Sequence, residues 1–193
     1  MKKSSIILIV IAVLAVIWGV SAYNGLVTMD ENVNTEWANV ETQYQRRADL
    51  IPNLVNTVKG YAAHESETLE SVIAARSKAT QITIDPANLT PEKLAEYQEA
   101  QGAVTSALGK LLAISESYPD LKANQNFLEL QAQLEGTENR IAVERQRYSD
   151  MVNEYNTSIR RFPKNMVASL LGFERKAYFE AQNGAENAPQ VEF

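Results

Sequence analysis

From Ile6 to Val20 the chain runs fifteen residues without a polar side chain, and Ser21, Ala22 and Tyr23 extend the uncharged stretch to eighteen. Crossing the hydrocarbon of a bilayer takes roughly 20 such residues, with the usable range beginning near 17. The segment therefore predicts a transmembrane helix over residues 6–23, behind a short basic N-terminus (residues 1–5) carrying Lys2 and Lys3. Trp18 and Tyr23 suit the far interface, where amphipathic rings settle. The competing reading is a cleaved signal peptide, with Lys2 and Lys3 as its basic head and Val20-Ser21-Ala22 as a small-residue cleavage site. The length of the apolar run favours a retained, single-pass anchor in a cell membrane, so the lipid bilayer is the first expected partner.

Flanking charge sets the expected orientation. Asn24 to Gln43 holds Asp30, Glu31, Glu36 and Glu41 and no Lys or Arg. The positive-inside bias then puts the N-terminus in the cytoplasm and the bulk of the chain outside it.

Everything after the anchor reads as helix. Pro86, Pro91, Pro119, Pro163 and Pro189 mark joints or the tail, and only Pro52 falls inside a periodic segment. Segment one, about Asp30 to His64, carries a seam spaced 4,3: Val33, Trp37, Val40, Tyr44, Arg47, Ile51, Leu54, Val58, Tyr61. A heptad pattern sustained that long predicts a long helix packed against partners. Pro52 should kink it rather than end it. Segment two, about Ser66 to Gln81, is shorter and carries Leu69, Val72, Ile73, Arg76 and Ala79, and Ile82 to Thr90 is a loop. Thr90-Pro91-Glu92 is a helix start, with an N-cap hydroxyl, proline at the first helical position and an acid in the first turn. Segment three runs from there to about Ser117, and its Gly102 and Gly109 are expected to let another helix come close. Segment four, about Asp120 to Arg161, has the seam Phe127, Leu130, Leu134, Thr137, Ile141, Glu144, Tyr148, Met151, Tyr155, Ser158, Phe162. Asn165 to Leu171 forms a last short helix before Gly172, and residues 181–193 are expected to be disordered.

Long segments with short connections must run beside one another, so the expected fold is all-α: an N-terminal transmembrane helix and an antiparallel up-and-down bundle of three to four long helices over residues 30–173. With Val33 set near Ser158, Arg47 comes level with Glu144. Both are charged residues on apolar seams, and they are expected to face each other and fix the register, because a buried unpaired guanidinium is costly.

The composition excludes much chemistry. The chain has no Cys and one His, which removes disulfides, thiolate nucleophiles, Cys zinc sites and two-His metal motifs. Beyond residue 29 there are 16 basic against 24 acidic residues, so nucleic acid is not an expected partner. Arg46 and Asp49 stand i,i+3 and are expected to pair on one helix face rather than to bind a ligand. His64, Glu65 and Glu67 make a poor metal site and a good solvated turn. Tyr44, Tyr61, Tyr97, Tyr148 and Tyr155 fall on seams, where tyrosine is ordinarily core. No pair of carboxylates stands out as acid and base. The expectation is no catalytic, metal or cofactor site. One minor alternative is that Val191-Glu192-Phe193 adds as a strand to a domain that captures terminal carboxylates.

Trp37 to Lys59 reads WANVETQYQRRADLIPNLVNTVK, and Tyr118 to Pro163 reads YPDLKANQNFLELQAQLEGTENRIAVERQRYSDMVNEYNTSIRRFP, followed by Gly172-Phe173. This resembles the LemA family of bacterial membrane proteins, from the anchor to about Phe179. The resemblance implies one N-terminal transmembrane helix and an antiparallel helical bundle, includes members associated with magnetosome membranes, and implies no known enzymatic activity. It also implies a short extracytoplasmic N-terminus and a cytoplasmic bundle, opposite to the flanking-charge reading. The residues singled out for structure or interaction are Trp37, Tyr44, Arg46, Arg47, Asp49, Pro52, Glu144, Tyr148, Tyr155, Phe162, Gly172 and Phe173. The expected function is a membrane-anchored helical scaffold without catalytic activity, self-assembling because its seam is richer in aromatics than one short helix could cover. The alternative is an adaptor for another membrane protein, such as a membrane protease in envelope maintenance.

Overall fold

The computed structural model describes residues 3–179. Among them there is no strand, and six α-helices follow in order: α1 (Lys3–Lys59), α2 (Ser66–Gln81), α3 (Pro91–Ile114), α4 (Pro119–Lys122), α5 (Gln125–Arg160) and α6 (Lys164–Leu171). The expected tail and its terminal Val191-Glu192-Phe193 lie outside the described residues.

Helix α1 joins the expected anchor and segment one without a break over 57 residues. At 1.5 Å per residue it is about 85 Å long. Its apolar start is exposed, while the seam from Val33 to Val58 is buried almost completely, with Trp37, Val40 and Val58 fully enclosed. Tyr61, expected to continue that seam, is instead 44% exposed, because the helix ends at Lys59 and the chain turns.

The bundle is up and down, as the pattern requires. Helix α5 returns along most of α1, and the α2–α3 hairpin packs beside them. Two cores stack along the rod. The one nearer the anchor gathers Leu26, Val33, Trp37, Tyr97, Tyr148 and Tyr155, and the distal one gathers Ile51, Leu54, Val72, Leu111, Phe127 and Leu134. The Thr90 hydroxyl caps α3 by accepting from the Lys93 amide (3.3 Å). Segment four is broken rather than continuous: α4 stops at Lys122, and Asn124 caps α5 by accepting from the Phe127 amide (3.0 Å). A side chain at Gly102 or Gly109 would meet nothing within 4 Å, so neither marks a close helix approach.

Past α6, Gly172 takes a left-handed conformation (φ 76°) that releases the chain into an extended strap, 173–179. The strap climbs α1. Phe173 stacks edge-on against Tyr23, Lys176 pairs with Asp30 (3.0 Å), and Phe179 stacks on Trp37. The geometry closes: the six extended steps from Phe173 to Phe179 reach about 20 Å, and the fourteen helical steps from Tyr23 to Trp37 rise about 21 Å.

Candidate functional site

The QRRADLIPNL motif lies on α1 midway up the bundle, and its residues divide by face. Arg47 is buried, 2% exposed. One terminal nitrogen donates to the Thr105 hydroxyl (2.8 Å) and to Glu138 Oε1 (2.9 Å), and the other to the Gln101 carbonyl (3.1 Å) and to Gln101 Oε1. The guanidinium also lies 5.1 Å from the Tyr44 ring centre. This side chain therefore ties α1 to α3 and α5 at one point. Glu138 is one-third exposed, so the charge pair is buried at one end and wet at the other.

The partner differs from expectation. Arg47 meets Glu138, six residues before Glu144, and Glu144 is held by Arg147 on its own helix (3.0 Å). Two further pairs keep the observed register. Trp37 packs against Tyr148, and Tyr61 accepts from Asn124 (2.8 Å) at the top of the bundle. The shift follows from the membrane-proximal end, where α6 and the strap, rather than more of α5, cover α1. Phe162 is correspondingly 81% exposed instead of seamed, because α5 ends at Arg160 and Pro163 cannot extend it.

Pro52 has a specific consequence. Lacking an N–H, it leaves the carbonyl of Ala48, four residues earlier, without its helical donor. Arg76 of α2 fills that vacancy by donating from Nε to Ala48 O (2.8 Å). The proline thus creates an acceptor that docks α2 onto α1, which continues unbroken through it. Arg46 and Asp49 do not pair: Asp49 accepts from Gln45 (2.7 Å), and no ion pair links it to Arg46 among the described residues. With Thr42, Gln45, Asn53 and Arg76, these two line an open groove of about 920 Å³ beside the buried knot.

Below the knot the aromatic seam closes on itself. Trp37 contacts Tyr97, Tyr148 and Phe179 at ring-centre separations of 5.6, 5.5 and 5.8 Å. Arg145 lies 4.5 Å over the outer ring, Phe179. Tyr148 donates to the Ala177 carbonyl (3.0 Å), and the Asn156 amide grips the backbone of Lys176 from both sides (2.9 Å each). Phe179, Glu138, Gln101 and Thr105 were not singled out by sequence. Gln101 and Thr105 stand i,i+4 on α3, a polar break in an apolar helix that could have flagged them; Phe179 follows a non-periodic stretch and carries no such signal.

Electrostatically the site is damped. Burial raises the Tyr44, Tyr97 and Tyr148 hydroxyls above their ordinary value and pushes Tyr155 up to about 12. Burial also raises Glu41, and the neighbouring Trp37 indole pulls it back less strongly. Every one of these shifts favours the neutral form. At the His64 turn Glu65 accepts from the Tyr118 hydroxyl (3.1 Å), and no cluster suited to a metal occurs among the described residues.

Fold and site together define a membrane-associated helical protein, a bundle carried on a helix long and apolar enough at its start to cross a bilayer. The LemA family model matches residues 36–193. The chain belongs to the LemA family. Among its relatives, magnetosome protein MamQ 2 of Paramagnetospirillum magneticum is 29% identical over 90% of this chain and 71% of its own length. Magnetosome protein MamQ of Magnetospirillum gryphiswaldense is 27% identical over 88% and 70%. Protein LemA of Metamycoplasma hominis is 27% identical over 74% of this chain and 61% of its own length.

Proposed function

We propose that this protein is a non-catalytic scaffold, held in a cell membrane by α1 and assembling laterally with itself. The observation that carries the reading is the continuity of α1 from its apolar start into the core of the bundle. A stiff helix fixes the height of the bundle above the surface, and confinement to that surface raises effective concentration, so weak contacts suffice for assembly. The aromatic seam that sequence assigned to assembly is spent inside the chain. One surface open to a protein partner is the groove bearing Arg46, Asp49 and Arg76. An absence of catalysis fits the same geometry: both terminal nitrogens of Arg47 are occupied by protein acceptors, and the tyrosines are shifted away from ionisation.

The mixed charge of that groove also favours a second reading, an adaptor docked on a different membrane protein. Because the chain has no native Cys, cross-linking from Arg46→Cys and Asp49→Cys in native membranes separates the two. Products containing only this chain support self-assembly, mixed products support the adaptor, and monomers alone contradict both. The bundle is proposed to face outward on the flanking-charge argument. An Ala74→Cys variant that resists an impermeant thiol reagent on intact cells would reverse that orientation.

A further inference from the structure

Helix α6 presents an apolar face to the outside while also packing inward. Val167 and Ala168 join the core nearer the anchor. On the outer side Met166 is 63%, Leu170 83% and Leu171 52% exposed, and Phe162 just ahead of the helix is 81% exposed. Met166 and Leu170 are i,i+4 and share a face of α6, and Phe162 stands in the turn ahead of it, before Pro163. Contiguous exposed apolar groups of this kind mark an interaction surface.

The position of this face along α1 identifies what covers it. Phe162, Pro163 and Lys164 line one cleft with Trp18 and Met29, and the Tyr23 ring contacts the Phe173 ring. Ala22 and Leu26 are buried by the same end of the bundle. Trp18 lies inside the uncharged run. Its eighteen residues measure about 27 Å as a helix, close to the roughly 30 Å of bilayer hydrocarbon. Residues 18–23, and α6 with them, therefore sit at the boundary between acyl chains and headgroups. Charge beside the face is mixed: Arg160 and Arg161 are exposed and Lys164 is half-buried next to it, while Asp150 and Glu154 line the upper part of the same cleft.

We propose that α6 is a second membrane contact, lying in the interface with Phe162, Met166 and Leu170 among the acyl chains and Arg160, Arg161 and Lys164 at lipid phosphates. It would set the tilt of the rod as well as its height, since two separated contacts fix an orientation that one spanning helix leaves free. The proposal rests on the reading that residues 6–23 span the bilayer.

The test uses the full chain in vesicles of phosphatidylcholine with phosphatidylglycerol. Nitroxides are placed singly at Met166→Cys and Leu170→Cys, at Ala74→Cys on the distal bundle, and at Ile11→Cys in the anchor. Accessibility to oxygen, which partitions into lipid, is compared with that to a water-soluble nickel chelate. The proposal expects the oxygen-to-chelate ratio at residues 166 and 170 to exceed that at residue 74 severalfold and to approach the ratio at residue 11. Lipid exposure at residue 11 with water exposure at 166 and 170 overturns this proposal alone. Water exposure at residue 11 overturns the spanning reading and this one with it. A label at 170 sheltered from both reagents means another protein covers the face, which also overturns it.

Discussion

Removing either partner of the Arg47–Glu138 pair should have unequal consequences, and the inequality follows from which end is wet. In Glu138→Ala the guanidinium of Arg47, 2% exposed, keeps Gln101 and Thr105 as acceptors but loses its counter-charge in a buried setting. Orphaning a buried ion costs 3–5 kcal/mol in general, and about 3 kcal/mol is expected here because water can enter through the one-third-exposed Glu138 position. In Arg47→Met an apolar chain of similar reach fills the space, and Glu138 turns to solvent. The loss falls to about 1.5 kcal/mol, chiefly the hydrogen bond that Gln101 Oε1 forfeits. With the guanidinium gone, Glu138 has no partner left to lose. The double variant should therefore be no worse than Arg47→Met alone, a coupling of about 3 kcal/mol. Urea unfolding of the full chain in detergent, followed by helical circular dichroism and tryptophan emission, gives the four stabilities. Arg47→Met costing more than Glu138→Ala, or additive losses in the double variant, would refute this assignment of the buried charge.

Other outcomes follow from the same contacts. Trp37→Ala empties the space between three rings and should cost about 4 kcal/mol in the same unfolding assay. Arg76→Ala should cost about 1.5 kcal/mol, the scale of a hydrogen bond from a charged donor, and much less in a Pro52→Ala background, where the helix again satisfies Ala48 O; equal costs in both backgrounds would deny the link. Gly172→Ala forces a side chain into the left-handed region and should cost about 1 kcal/mol, loosening the strap as read by hydrogen exchange at Lys176. The buried tyrosines have folded pKa values above the ordinary value near 10, so the fold holds their protons more tightly than the unfolded chain does. Stability from this source is complete below pH 10 and is lost as pH rises beyond it, through about 12 for Tyr155. The tyrosinate absorbance that Tyr44, Tyr97, Tyr148 and Tyr155 contribute, read as the difference between the full chain and a variant with these four changed to Phe, should therefore appear together with loss of helix, and that share appearing in a still-folded chain would contradict the burial.

Local rules carried far in this chain. The 4,3 seam picked out the buried face of α1 from Val33 to Val58, the Thr90-Pro91 signal placed the start of α3, and Gly172 ended α6 as its position before a non-helical stretch required. What escaped was relative placement. A seam specifies which face is buried and leaves the slide along the axis open; here the slide was decided by the Asn124 cap, by α6 and by the strap, none of which belongs to the heptad pattern. The strap itself escaped because its hold on the bundle comes from the Asn156 amide, the Lys176–Asp30 pair and the Phe179 ring, contacts that leave no period in the sequence. The chain from Asn24 to Met29 carries neither charge nor a clear seam, so the union of anchor and bundle into one helix was equally invisible.

That union is the claim on which the rest stands. Nitroxides at Ile17→Cys and Thr35→Cys, eighteen residues apart on one exposed face of α1, measure it by pulsed electron resonance with the full chain in lipid nanodiscs. An unbroken helix places the two backbone sites about 27 Å apart, with a single narrow distribution. A broad distribution, or one centred well short of that length, would mean a joint between residues 24 and 29 and a bundle free to swing on its anchor.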